Sequence, residues 1–249
     1  MLAVALAGLA AGTINTVVGS GTLITFPVLL AVGYPPVLAN VSNTVGLVPG
    51  SASGAFGYRA ELTGQRARLI RLGSASVIGA VLGAAALLVL PADAFQAVVP
   101  VLIGLACVLV VVQPRLSGWL ARRGRTERHH GGWLLYAGVL GAGIYGGYFG
   151  AAQGVLLIAI MGLLLDEDLQ RINAAKNVLA GLVNLVAALV FIAVTEVAWL
   201  AAGLIALGAI VGGQVGASVG RRVPAPWLRA LVVVVGVVAI VAIVFDWWG

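Results

Sequence analysis

Two short stretches of this chain combine glycine with side chains able to hold a solute, and each interrupts an apolar run. The first is Gly19-Ser20-Gly21-Thr22, within VVGSGTLITFP; the second is Gly150-Ala-Ala-Gln153-Gly154. Glycine lets a backbone approach a ligand closely. A helix that restarts after such a break presents N–H groups unpaired by any preceding turn, together with the positive end of its dipole, and that combination suits an anion. At the first break the amides of Ser20, Gly21, Thr22 and Leu23 are expected to open the new helix, with the Ser20 and Thr22 hydroxyls as added donors. At the second, Gln153 supplies a side-chain amide. The structural alternative for both is a glycine kink or a close helix crossing.

Polar residues follow each break at matching places. NVSNTVG, Asn40 to Gly46, opens the run after the first, and NAAKNVL, Asn173 to Leu179, opens the run after the second. Asn40 and Asn173 read as N-caps. Asn43, Thr44, Lys176 and Asn177 lie deeper, where polar groups need partners and mark function in a membrane. Lys176 either snorkels to the cytoplasmic face or lends positive charge to an anion route. Ser51, Ser53 and Asn184 are weaker candidates, since Ser and Asn also join helices. The candidate substrate-binding set is therefore Gly19, Ser20, Gly21, Thr22, Asn43, Thr44, Gln153, Gly154, Lys176 and Asn177.

Other chemistry is poorly provided for. Asp93, Asp166, Glu167, Asp168, Glu196 and Asp246 sit at turns or ends, so a carboxylate proton relay is hard to build. His129 and His130 belong to the polar stretch RRGRTERHHGG, without the companions a metal site needs. No nucleophile–base pair or metal cluster is apparent, so neither an enzyme, a metal nor a cofactor is expected.

The elements that must position these residues are apolar helices. Of 249 residues, 61% are hydrophobic and 9% charged, against about 45–50% and about 25% in soluble domains. Mean hydropathy is +1.12. The 35 glycines suit closely packed membrane helices. The net charge of +6 is confined to short loops, which favours a bilayer partner and a positive-inside bias over nucleic acid. Cys107 cannot form an intrachain disulfide and reads as a packing residue. The apolar N-terminus lacks a basic n-region and reads as a retained span.

Apolar segments run at about 1–18, 22–33, 38–58, 69–90, 95–112, 133–149, 154–165, 172–194, 197–219 and 227–247. Segments 22–33 and 154–165 are shorter than the roughly 20 residues a crossing needs, so each pairs with the run before it as a hairpin turning within the membrane. A shift of about 133 residues places Gly21 on Gly154, Asn40 on Asn173 and Val45 on Val178. The predicted fold is all-α and polytopic: a first repeat, 1–113, a basic linker, 114–132, and a second repeat, 133–249. Each repeat has a broken hairpin and three further helices. Arg59, Arg66, Arg68, Arg71, Arg115, Arg122, Arg123, Arg125, Arg128, Arg171, Arg221, Arg222 and Arg229 fall on one face, the cytoplasmic one, with both termini outside. Each half then crosses an odd number of times, which makes the repeats inverted, as in secondary transporters. Trp133, Trp199, Trp227, Trp247 and Trp248, at segment ends, read as interfacial anchors.

The stretch GSGTLITFPVLLAVGYPPVLANVSNTVGLVPGSASGAFGYR resembles the signature of the TauE/SafE sulfite exporter family, also described as toluene sulfonate uptake permeases. It carries the glycine tip (Gly19, Gly21), Pro27, the Gly33-Tyr-Pro35-Pro36 turn and Ser51-Ala-Ser53-Gly54-Ala55. GIYGGYFGAAQGVLLIAIMGLLLDEDLQRINAAKNVLAGLVNLVAALVFI resembles the family's second copy, without the proline and the G-x-P-P turn. The resemblance implies secondary transport of sulfite, organosulfonates or related small anions in the bacterial inner membrane. A coupling ion, proton or sodium, is the further partner such a mechanism allows. An anion channel, or a carrier of small carboxylates, is the alternative.

Overall fold

The computed structural model describes residues 1–122, 132–218 and 225–248. Arg123, Arg125, Arg128, His129, His130, Arg221 and Arg222 lie outside the described residues, as do the side chains of Arg122, Trp247 and Trp248. Among the described residues ten helices form: α1 (Leu2–Val17), α2 (Thr22–Ala31), α3 (Pro36–Gly57), α4 (Arg66–Val89), α5 (Ala92–Arg122), α6 (Gly132–Tyr148), α7 (Gln153–Leu164), α8 (Leu169–Val194), α9 (Trp199–Ser218) and α10 (Ala225–Trp248). Among the described residues no strand forms, so the all-helical polytopic expectation holds. Helix α5 runs through Pro114 to Arg122, beyond the apolar segment that ends near 112.

Helices α4, α5, α8, α9 and α10 are long and apolar enough to cross a membrane. Helix α3 has the length, at 22 residues, but not the apolarity; its polar residues Asn40, Ser42, Asn43 and Thr44 are turned inward and buried. Helices α2 and α7, with 10 and 12 residues, are short. At about 1.5 Å per residue each reaches little more than halfway across a hydrocarbon core of about 30 Å. Exposed Trp133, Trp199 and Trp227 stand at helix starts, as interfacial anchors do.

The two halves interlock. Helix α1 packs along α9, and α6 packs along α4; α3 lies against both α8 and α9, and α8 against both α3 and α4. The α5–α7 contact has its counterpart in α10–α2, and α5 meets α10 directly. Nearly every first-half pairing thus recurs with the halves exchanged, and each broken hairpin is sheathed by the other half.

Small residues make that sheathing close. Gly8 and Gly12 of α1 face Ile205 and Ala209 of α9, whose Gly208 and Gly212 face α1 in return. A Cβ on Gly8 would lie 2.7 Å from the Ile205 carbonyl oxygen, and one on Gly208 would lie 2.6 Å from the Leu9 nitrogen. Gly79 and Gly83 of α4 meet Gly143 and Gly147 of α6 in the same manner. In lipid, where no hydrophobic drive separates helix from tail, this contact between backbones supplies the dispersion energy of association. Cys107 is buried against Gly236, joining α5 to α10 as a packing residue.

On the face where the α3–α4 connection meets the α7–α8 turn, Glu167 ties the halves together. It accepts from Arg68 at 2.8 Å and from Arg171 at 2.7 Å, while Arg171 also donates to the Thr63 carbonyl at 3.1 Å. Gln65 donates to the Arg171 carbonyl at 3.0 Å. Burial alone would push the Glu167 carboxyl up, but the hydrogen bonds and charges of the two guanidinium groups outweigh it and hold the carboxyl below its ordinary value.

Two outcomes follow from this packing. Gly83→Leu and Gly212→Leu should each cost at least about 2 kcal/mol by overpacking, read as thermal unfolding in detergent. Gly141→Leu and Gly203→Leu, where a Cβ meets open space, should cost far less. Equal losses in both pairs would refute the glycine seams. Separately, a carboxyl lowered on folding stabilises fully above its ordinary value of 4.5, and that stability is lost as pH falls through the lower folded value. Wild type should therefore exceed Glu167→Gln by about 1 kcal/mol near pH 6, and the two should converge as pH falls through the lowered folded value.

Candidate functional site

Both α1 and α6 stop inside the protein, and they stop alike. The amides of Val18 and Gly19 both bond to the Ile14 carbonyl, at 2.7 and 3.1 Å; those of Phe149 and Gly150 both bond to the Tyr145 carbonyl, at 2.9 and 3.1 Å. The chain then reverses through left-handed backbone at Gly19 (φ 88°), and at Gly150 (φ 79°) and Ala152 (φ 58°). Glycine takes that conformation without strain; Ala152 does not, and its place is held by complete burial and by Tyr145, whose hydroxyl donates to the Ala151 carbonyl. The second break therefore spans Phe149 to Ala152, with Gln153 and Gly154 already in α7.

The tips touch. The Gly154 amide donates to the Gly19 carbonyl at 3.1 Å. A Cβ on Gly19 would come within 2.6 Å of the Gly154 Cα, and one on Gly154 within 2.8 Å of the Lys176 Cδ. These positions are glycine because two backbones and the stem of a lysine share the space.

Lys176, the chain's one lysine, neither snorkels nor pairs with a carboxylate among the described residues. It is 1% exposed, and its ammonium donates to the carbonyls of Asn15 at 2.9 Å and Thr16 at 3.0 Å. Thr16 also accepts from Asn173 at 3.5 Å and Asn177 at 3.4 Å. The last carbonyls of a helix lack intrahelical partners and carry the negative end of its dipole, so α8 supplies a cation and two amides to the end of α1. The mirror contact is made by Asn40, whose Nδ2 donates to the Tyr148 carbonyl at the end of α6 at 3.0 Å. Asn40 and Asn173 are thus not N-caps: Pro35 precedes α3 and Asp168 caps α8, its side chain accepting from the Gln170 amide. Each Asn instead closes the broken helix of the other half.

The opening of α2 is a second polar group. Asn43 accepts from the Thr25 hydroxyl and donates to Thr22 Oγ1 at 3.3 Å. Thr44 bonds to the Asn40 carbonyl of its own helix at 2.9 Å. Some amides expected to be free are taken: Gly21 donates to Asn15 Oδ1 at 3.5 Å and Leu23 to the Ser20 carbonyl at 3.2 Å, while Gln153 donates to the Gly150 carbonyl at 3.2 Å. Four buried side-chain atoms around the tips have no partner among the described residues: Ser20 Oγ, Gln153 Nε2, Asn40 Oδ1 and Asn173 Oδ1. Each costs of order 1–3 kcal/mol unless a ligand or water meets it.

The structure therefore gathers Gly19, Gly154, Lys176 and Asn177 at the tip contact, pairs Thr22 with Asn43, and turns Thr44 to its own helix. Ser51 and Asn184 bond to one another at 3.2 Å and Ser53 to the Ile210 carbonyl at 2.7 Å, as helix glue. Asn15, Thr16, Thr25 and Gln113 escaped the sequence reading. Gln113 donates to the Val18 carbonyl at 3.4 Å and accepts from Arg229 at 3.4 Å. Asn15 and Thr16 had a signal: polar residues in the last turn before a glycine break.

Among known proteins, the family model described as sulfite exporter TauE/SafE matches residues 4–243. The Escherichia coli (strain K12) probable membrane transporter protein YfcA is 24% identical over 239 residues, 95% of this chain and 86% of its own. Probable membrane transporter proteins from Sinorhizobium (ORF9) and Haemophilus influenzae are each 25% identical, over 95% and 96% of this chain and 89% and 92% of theirs. No solved structure matches. With broken hairpins, membrane-length helices and a match along nearly its whole length, the chain belongs to the TauE/SafE sulfite exporter family of membrane transporters.

Proposed function

We propose that this membrane transporter moves a small anion, sulfite, an organosulfonate or a related sulfur oxyanion, by alternating access across the bacterial inner membrane. The observation that carries the reading is the buried ammonium of Lys176 at the meeting of two helical breaks, with carbonyls as its partners. A desolvated cation costs several kcal/mol. Two carbonyls at a helix end offset part of that, and an entering anion offsets more. Ser20 Oγ and Gln153 Nε2, buried and unpartnered, are donors within the same tips. An oxyanion with several oxygens needs such a set, and Gly19 and Gly154 let the backbone close around it.

Tight packing at the tips favours a carrier over an open channel: Ser20, Ala151, Ala152 and Gln153 are all buried. The exchange symmetry of the helix contacts supports two repeats, 1–113 and 133–249, joined by the basic stretch 114–132. In this reading the repeats are inverted, both termini lie outside, and rocking one repeat against the other parts the tips to each side in turn. Thr22, Asn43, Thr44, Gly21 and Asn177 line the route opened by that movement. The bacterial relatives, each named a probable membrane transporter protein, agree with a carrier.

Purified protein in liposomes should move labelled sulfite or a small sulfonate. Lys176→Gln should lower the flux at least about 10-fold, equal to about 1.4 kcal/mol, with Lys176→Arg retaining part of it. Full flux in a folded Lys176→Gln variant would overturn the assignment.

A further inference from the structure

Helix α4 opens at Arg66 and presents Arg66, Leu69, Ile70 and Gly73 on one face, at the spacing i, i+3, i+4 and i+7. That face does not close fully against its neighbours. Together with Leu62 of the α3–α4 connection and Leu182 of α8 it lines an open groove of about 470 Å³. Gly73 helps to leave the space: a Cβ there would lie 3.2 Å from the Leu182 Cδ1 and meet no other neighbour within 4 Å. Ile70, one of the walls, is 65% exposed.

The walls are of two kinds, and together they select an occupant. Helix α4 is long and apolar enough to cross a membrane and Arg66 is its first residue, so the groove starts at the headgroup layer and runs toward the hydrocarbon. Leu62, Leu69, Ile70 and Leu182 offer nothing to a polar solute and suit an acyl chain. Arg66 is the one charged lining residue, and its charge is uncommitted. Glu167 takes Arg68 and Arg171, whereas no described residue accepts a hydrogen bond from Arg66 or pairs with it. A guanidinium presents planar, paired donors that fit a phosphate, and basic pockets between membrane helices hold acidic headgroups. The matching place about 133 residues on carries no charge: α9 opens with exposed Trp199, a neutral interfacial anchor. A free phosphate would use Arg66 alone and leave the apolar walls uncovered.

We propose that this groove seats one anionic phospholipid, with its phosphate on the Arg66 guanidinium and an acyl chain along Leu69, Ile70, Gly73 and Leu182. Because α4 belongs to the first half and α8 to the second, the lipid lies across a junction between the halves. Such binding requires only that the protein sit in a bilayer. It does not depend on which solute crosses, so its failure leaves the sulfite flux standing and the failure of that flux leaves the lipid standing.

The test is thermal unfolding of the full chain in detergent, titrated with phosphatidylglycerol or with phosphatidylcholine of the same acyl chains, at constant ionic strength. The expected result is a saturable rise in Tm on the order of 5 °C with phosphatidylglycerol at about 100 times its Kd, and weaker binding of the zwitterionic lipid. Arg66→Gln should lower the phosphatidylglycerol affinity about 5-fold, the contribution of one basic residue at a membrane surface. Arg59→Gln, which removes the same charge outside the groove, should leave it unchanged. Ile70→Trp, which fills the groove, should weaken both lipids; Arg66 and Ile70 are exposed, so neither variant should disturb folding. Equal affinity for the two lipids, equal losses in Arg66→Gln and Arg59→Gln, or unaltered binding in Ile70→Trp would each overturn the site. A rise of the same size with inorganic phosphate alone would also overturn it, by showing that no acyl chain is needed.

Discussion

A helix that ends buried inside a protein leaves carbonyls with no water to turn to, and this protein contains two such ends. The protein's answer is to make each half complete the other. The end of α1 is closed by Lys176, Asn173 and Asn177 from α8, and the end of α6 by Asn40 from α3. The breaks themselves are joined by the Gly154 amide on the Gly19 carbonyl. Neither half closes its own broken helix alone, so the halves fold as one body although each repeats the other's order of elements.

Everything at larger scale serves that closure. For the tips to meet, α1 and α6 must approach their sheathing helices α9 and α4 backbone to backbone, and the glycines at 8, 12, 208 and 212, and at 79, 83, 143 and 147, permit it. Aromatic side chains fill what the glycines leave: Phe149 stands edge-on to Phe26, with ring centroids 5.2 Å apart, and to Phe95 at 6.1 Å, bracing the second tip against α2 and α5. Where the α3–α4 connection meets the α7–α8 turn, the Arg68–Glu167–Arg171 cluster clips the halves together. Under the proposed alternating access, rim contacts of this sort are the discrete and breakable ones, around a centre that is tightly packed.

The helices were legible because hydropathy and length speak directly: ten apolar runs became ten helices, with the short runs at α2 and α7 where a 10- or 12-residue element cannot span. The breaks were legible because glycine clusters inside apolar runs have few other uses, and Lys176 because a lysine in such a run has to be explained. The roles of Asn40 and Asn173 were not legible. Periodicity locates a residue on its own helix but not the neighbour it faces, and both lie a turn inside helices capped by other residues. The free amides expected at the tips were likewise only partly there, since Asn15, a residue the pattern did not single out, takes the Gly21 amide. Local signals fix elements; the acceptor a donor finds is decided by packing between halves more than a hundred residues apart.

The most direct measurement is a cryo-electron density map of the protein in lipid nanodiscs, detailed enough to place the Lys176 side chain. The account requires two helices interrupted at Gly19 and Gly150, their tips in contact, and the Lys176 ammonium within hydrogen-bond reach of the Asn15 and Thr16 carbonyls when no substrate is bound. A Lys176 side chain extended to the membrane surface, or α1 and α6 continuing unbroken along the lipid, would contradict it.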